Sequence, residues 1–229
     1  MENITFTHLC CIFDYFNHGQ KINHMKKLFI ILCSTLLFPS YNRANTPDDL
    51  EATAIKVIRA FEQKDTTTIN QLLIHKKQGL VIMYNPGAVI YYKTVNHFSF
   101  DNPVPSYRSY DLNFTTDYNF TTDYKLKYQT LPEFSCDTEE WNKTGFYCDT
   151  LKRDHTLSSI AKSLKEYKFV IDEGGEAKID AEIVRFEELE KISHRIIFAT
   201  DNVYFMFHLT LIDGKWYLSI FDMVTMCDG

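Results

Sequence analysis

Residues 203–224 read VYFMFHLTLIDGKWYLSIFDMV, two β-rich runs on either side of Asp213-Gly214. Asp-Gly supplies the positive-φ residues that a two-residue hairpin turn requires, so Val203–Ile212 and Lys215–Val224 are expected to pair antiparallel. That turn sets Ile212 opposite Lys215, Leu209 opposite Leu218 and Phe207 opposite Ile220. Side chains alternate across a strand, so one face carries Phe205, Phe207, Leu209 and Leu211 against Trp216, Leu218 and Ile220. The other carries Met206, His208 and Thr210 against Tyr217, Ser219 and Phe221.

Immediately upstream, His194–Thr200 is a third strand, turned back by Asp201-Asn202 to complete a C-terminal meander. A tight turn there places Arg195 opposite His208 and next to Ser219, a polar row able to bind an anion. Asp222 falls on the more apolar face, opposite Phe205, and so on the other side of the sheet from His208. A buried carboxylate needs a partner or a raised pKa. Arg195, His208 and Asp222 are therefore the candidate pocket residues. No nucleophile-elbow motif of the G-x-S-x-G kind accompanies them.

The N-terminal half of the body alternates helix and hairpin signals. Thr46-Pro47-Asp48-Asp49 is a helix start, with a capping hydroxyl, proline at the first helical position and acids facing the dipole. Leu50, Ala54, Val57, Ile58 and Phe61 follow on one stripe. A short second helix after Asp65 uses Ile69, Leu72 and Leu73. Gly79–Tyr84 and Ala88–Val95, separated by Asn85-Pro86-Gly87, read as a hairpin. Further on, Leu157, Ile160, Ala161, Leu164 and Tyr167 mark one helix. Ile179, Ile183, Phe186 and Leu189 mark another, from about Glu176 to Ile192.

Residues 96–153 form an aromatic-rich insert, with 13 aromatics and only four basic residues between Phe98 and Tyr147. Within it, NFTTDY occurs twice in tandem, at 113–118 and 119–124. The even positions from Leu112 to Tyr128 are leucine, aromatic or, at 116 and 122, threonine, while the odd ones are Asn, Thr, Asp or Lys, the period of a strand with one covered face. Six is an even number, so the duplication keeps every side chain on its face. Two copies make no repeat array. A functional use would be an aromatic platform for a glycan, a peptide or a protein, or an edge strand for β-addition.

Met25-Lys26-Lys27 followed by the apolar run Leu28–Phe38 reads as an export signal displaced from the first methionine. The run is 11 residues long, too short for the roughly 20 a membrane-spanning helix needs. Ala44 offers a cleavage position before Asn45. The expected organisation is an upstream extension at 1–24, a signal peptide at 25–44 and one α+β domain at 45–229. Cleavage would leave no transmembrane anchor and would place the body in the periplasm or outside the cell.

That address governs the cysteines, because disulfides persist in oxidising compartments. Cys136, Cys148 and Cys227 remain after cleavage. Two of them are expected to pair, either as the local Cys136–Cys148 link or as a staple from Cys227 to one of the others. There is no C-x-x-C and no paired histidine spacing, so no zinc motif and no cofactor is read from the sequence. From Asn45 onward the chain has 20 Lys+Arg against 28 Asp+Glu, a net charge of −8. Such a surface repels a nucleic-acid backbone and anionic lipid.

The order helix, helix, hairpin, insert, helices and long strands resembles the NTF2-like (cystatin-like) α+β fold. The residues carrying the likeness are Leu50–Phe61 with its F-E-Q-K-D end and the I-D-G-K-W-Y-L turn. The ending with Trp216 and Asp222 also looks like that of small exported bacterial proteins of unknown function. The resemblance implies N-terminal helices packed on a curved antiparallel sheet. It implies no single activity, since NTF2-like relatives include enzymes and non-catalytic modules. The expected function is an exported, non-catalytic binding or envelope-associated protein. The alternatives are a small enzyme using Asp222 or His208 as general base, or a secreted inhibitor or partner-binding module.

Overall fold

The structure is a computed structural model. It describes residues 47–112, 114, 118–120, 122–149, 157–167, 175–201, 203–224 and 227. The export segment, Thr46, most of the first NFTTDY copy, His155 and Asn202 lie outside the described residues.

The body is α+β. Helix α1 (Pro47–Glu62) comes first, and its whole expected stripe, Leu50, Ala54, Val57, Ile58 and Phe61, is buried. Asp65 then caps a single short turn, α2 (Thr66–Thr68), by accepting from the Thr68 N–H at 2.9 Å. The chain continues as a π turn over Ile69–Leu73. This wider turn buries Ile69 and Leu73 and leaves Leu72 exposed, so Leu72 is not the core residue its spacing suggests.

Among the described residues, seven strands form the main sheet: β1 (Leu80–Tyr84), β2 (Tyr91–Val95), β3 (Lys127–Tyr128), β6 (Gly145–Cys148), β7 (Ser193–Ala199), β8 (Tyr204–Ile212) and β9 (Lys215–Asp222), in the order β2-β1-β9-β8-β7-β6-β3. The β1–β2 hairpin and the β7-β8-β9 meander are antiparallel, as their turn residues require. Asp213 (φ 48°) and Gly214 (φ 79°) supply the two positive-φ residues of the last turn. Two pairings are parallel, β1 with β9 and β3 with β6, so the sheet is mixed where an antiparallel one was expected. A hairpin signal fixes only neighbours in sequence. It carries no information on which distant strand closes beside β9. A separate two-stranded ribbon pairs β4 (Phe134–Ser135) with β5 (Glu140–Trp141).

The first face of the sheet packs on α1. Phe61 lies at its centre, with ring centroids 5.1 Å from Phe98, 4.6 Å from Phe205 and 5.0 Å from Phe221. The aromatic insert supplies much of this layer, because Phe98, Tyr110, Tyr118 and Phe120 are all buried there. The expected long strand over 112–128 is not formed: of its described residues only Lys127–Tyr128 are strand. Part of the in–out alternation survives without a ladder, although Thr122 and Tyr128 are exposed. Tyr118, Phe120 and Leu126 point inward, and Asn119, Asp123 and Lys125 point outward. Helix side chains tie part of this irregular backbone down. Arg59 donates to the Tyr118 carbonyl at 2.6 Å, Glu51 accepts the Leu126 N–H at 3.0 Å, and Asn70 exchanges two bonds with the Phe98 backbone at 2.7 and 2.8 Å. The end of the insert is no appendage either, since β6 is an inner strand of the main sheet.

The second face is covered in two places. Helices α3 (Leu157–Tyr167) and α4 (Gly175–Lys191) form an antiparallel pair whose Ile160, Ala161, Leu164 and Phe186 pack with Val81, Met83 and Ile220. Glu190 joins them by accepting from both the N–H and the hydroxyl of Ser158, at 2.8 and 2.7 Å. Elsewhere Leu131 and Trp141 pack with Tyr147, Ile197, Ala199 and Met206.

Candidate functional site

The pocket candidates come together through one extra residue in β9. Ile212↔Lys215 and Leu209↔Leu218 pair as the turn dictates, but His208 then pairs with Ile220, Phe207 with Phe221 and Met206 with Asp222. Ser219 is the surplus residue of a β-bulge. A one-residue slip transfers every later side chain to the opposite face. Phe221 accordingly enters the aromatic layer of the first face, while Ile220 and Asp222 move to the second. The expected placement of Asp222 opposite Phe205 is thereby corrected, and so is its separation from His208. Ser219 also stays on the second face, where it accepts a bond from the Thr210 hydroxyl at 2.6 Å and donates to the His208 carbonyl at 3.3 Å.

Arg195 does lie opposite His208. From β7 its guanidinium crosses β8, passing Met206 Sδ at 3.5 Å, and donates to Asp222 Oδ2 at 2.7 Å. The Asp222 side chain is only 3 % exposed and that of Arg195 23 %. The second carboxylate oxygen, Oδ1, accepts the Val224 N–H at 3.2 Å. Both oxygens are thus engaged, and the arrangement is that of a structural ion pair rather than a base facing a substrate. Removing one partner of such a pair strands the other charge. Arg195 Nε is buried without a hydrogen-bond partner among the described residues. His208 is half-buried beside this pair.

Behind Arg195, the ends of β6 and β7 bring together three residues that the sequence reading did not group. Cys148 pairs in register with Ile196. One step on, Asp149 donates its N–H to the Arg195 carbonyl at 3.0 Å and accepts the Arg195 N–H on Oδ1 at 3.1 Å. His194 Nδ1 lies 3.5 Å from Asp149 Oδ1 and 3.4 Å from its carbonyl. Ligand-type atoms of Cys148, Asp149 and His194 all fall within 4.8 Å of one another. Only the Cys148-Asp149 adjacency was visible in the sequence; His194 joins them through the β6–β7 pairing.

The electrostatics of this cluster are set by burial and by Asp149. Hydrogen bonding to the Asp149 carboxylate raises the His194 pKa against the opposing effect of desolvation. Burial, with Asp149 as a lesser cause, pushes the Cys148 thiol up to about 12. A metal-free thiol in that state is no activated nucleophile. Its sulfur contacts the Asp149 carbonyl at 3.6 Å, and His194 is turned to Asp149, so a Cys–His nucleophilic pair is not assembled.

Of the three cysteines, Cys136 and Cys227 lie at disulfide distance, joining chain positions 91 residues apart, and Cys148 is free and buried. Of the three pairings open from sequence, the structure shows this tail staple, which ties the chain end after β9 to the β4–β5 ribbon. Among the described residues no helix is long and apolar enough to cross a membrane. No family model matches the chain, and neither the curated proteins nor the solved structures contain a match to it.

Proposed function

We propose that the chain is an exported binding or envelope-associated protein that acts without acid–base catalysis. The observation that carries this reading is the Cys136–Cys227 pair, a long-range link of the kind that persists where thiols oxidise. The signal-like segment Met25–Ala44 supports the same address, and the order of helices, hairpin and meander supports an NTF2-like relationship. The non-catalytic part of the reading rests on Asp222, whose two oxygens are held by Arg195 and the Val224 backbone.

The ligand surface differs from the one the composition suggests. Phe98, Tyr110, Tyr118 and Phe120 belong to the core, so they form no platform for a glycan or peptide. Exposed aromatic surface remains at Tyr107, Tyr128 and Tyr204, the last beside Trp141 at 6.0 Å between ring centroids. Strand addition along 112–128 loses its basis with the strand itself. The net charge of −8 favours a partner that is neither nucleic acid nor anionic membrane.

The test is expression in a bacterial host from the full reading frame, followed by fractionation and N-terminal sequencing. The expected result is a chain beginning at Asn45 in the periplasm or medium. A chain retained in the cytosol with residues 25–44 attached would overturn the proposal.

A further inference from the structure

We propose that Cys148, Asp149 and His194 form a binding site for a single Zn(II) ion, closed on three sides by protein and open on the fourth. The three side chains offer a soft thiolate, a borderline imidazole and a hard carboxylate, a mixed set whose sulfur and nitrogen donors suit zinc rather than magnesium or calcium. Their ligand atoms lie within 4.8 Å of one another. Bonds of about 2.0–2.3 Å in a tetrahedron place ligand atoms about 3.3–3.8 Å apart. Closing on an ion therefore takes a contraction of about an ångström, within reach of side-chain rotation.

The surroundings hold the ligands as a metal site requires. Asp149 is fixed by the Arg195 N–H on Oδ1. The His194 ring rests against Trp216 at 5.6 Å between centroids. Such outer contacts orient ligands and commonly govern affinity. Arg195 turns its guanidinium away, crossing to Asp222 on the second face. Cys148 is closed to solvent while the His194 side chain is 41 % exposed, so the ion would enter from the histidine side and keep water in its fourth position. Binding forms the sulfur–zinc bond as the thiol proton leaves to bulk water; no redox partner is involved. The inference is independent of export and of the binding function proposed above.

Cobalt(II) is the probe, because it takes zinc sites and reports thiolate ligation by an intense near-ultraviolet charge-transfer band. The purified full chain, freed of metal by chelator, is expected to develop that band with tetrahedral visible bands, saturating at one ion per chain. Equimolar Zn(II) should then remove them. Cys148→Ser should abolish the charge-transfer band. Asp149→Asn, which keeps an acceptor for the Arg195 N–H, and His194→Ala at the half-exposed edge should each weaken binding by about tenfold or more. Thermal melts of the metal-free variants establish that they are folded. Cobalt binding without the thiolate band, saturation below one ion per chain, or a band that survives Cys148→Ser in the folded protein would overturn the assignment.

Discussion

Arg195 and Asp222 sit on different strands, β7 and β9, yet meet at 2.7 Å across the strand between them. They meet because Ser219 is one residue too many for the β8–β9 ladder. Were Ser219 paired opposite His208 instead of bulged out, Asp222 would fall opposite Phe205 and face the aromatic layer of Phe61, Phe98 and Phe205. The bulge thus converts an acid that would be stranded in an apolar core into half of an ion pair.

Breaking the pair on one side should be costly. Arg195→Met or Asp222→Leu is expected to destabilise the fold by about 3 kcal/mol, the lower end of the range for buried pairs, since Arg195 retains some solvent contact. The double variant Arg195→Met/Asp222→Leu should cost clearly less than the two single losses together. Urea denaturation of all three checks this. Additive losses would mean that the two groups do not interact.

Deleting Ser219 should be no worse than a mild loss. Ser219→Ala removes its hydroxyl contacts with Thr210 and His208 and should cost about 1 kcal/mol. The deletion takes out the unpaired residue and leaves Leu218 opposite Leu209, Ile220 opposite His208 and Asp222 opposite Met206, so every side chain keeps its face. The expected outcome is a cooperative thermal transition with the Arg195–Asp222 pair retained. Loss of the cooperative transition on deletion would show that β9 does not close into the unbroken ladder.

Asn70 acts as a stand-in for a neighbouring strand, accepting from and donating to the Phe98 backbone. Asn70→Ala leaves both backbone groups without that partner and should destabilise by about 1–3 kcal/mol. Amide hydrogen exchange at Phe98 should accelerate with it. Unchanged protection at Phe98 would show that the insert is anchored by other means.

Cys148 should be chemically silent in the metal-free native protein. Its thiol is buried and shifted to about 12, so iodoacetamide at pH 8 should leave it unmodified. Unfolding in denaturant without reductant should expose one alkylatable thiol in the chain from Asn45 onward. Rapid labelling of Cys148 in the folded state would contradict its burial.

Much of the framework was legible in local chemistry. The α1 stripe, the Asn-Pro-Gly and Asp-Gly turns and the Arg195–His208 register all follow from spacing and turn residues, and all are present. The bulge was not legible, because Ser219 carries no conformational signature. One unseen residue was enough to reverse the face of Asp222. Period-2 alternation at 112–128 placed Tyr118, Phe120 and Leu126 inward correctly, but Thr122 and Tyr128 are exposed, and it did not separate strand from irregular chain. Inward aromatics need only a path over an apolar surface, here including a turn in which Asp123 and Tyr124 both donate to the Asn119 carbonyl, whereas a strand also needs a partner ladder. The Cys148–Asp149–His194 cluster was hidden for a different reason. Its members meet only through the pairing of β6 with β7, and β6 lay inside the aromatic stretch read as an insert.

The most direct test is a non-reducing peptide map of the protein recovered from the periplasm or medium of a bacterial host, alkylated before digestion and with metal removed. The expected map contains one cross-linked species joining the Cys136 and Cys227 peptides, with Cys148 as the single free thiol. A cross-link through Cys148, or three free thiols in material found only in the cytosol, would contradict it.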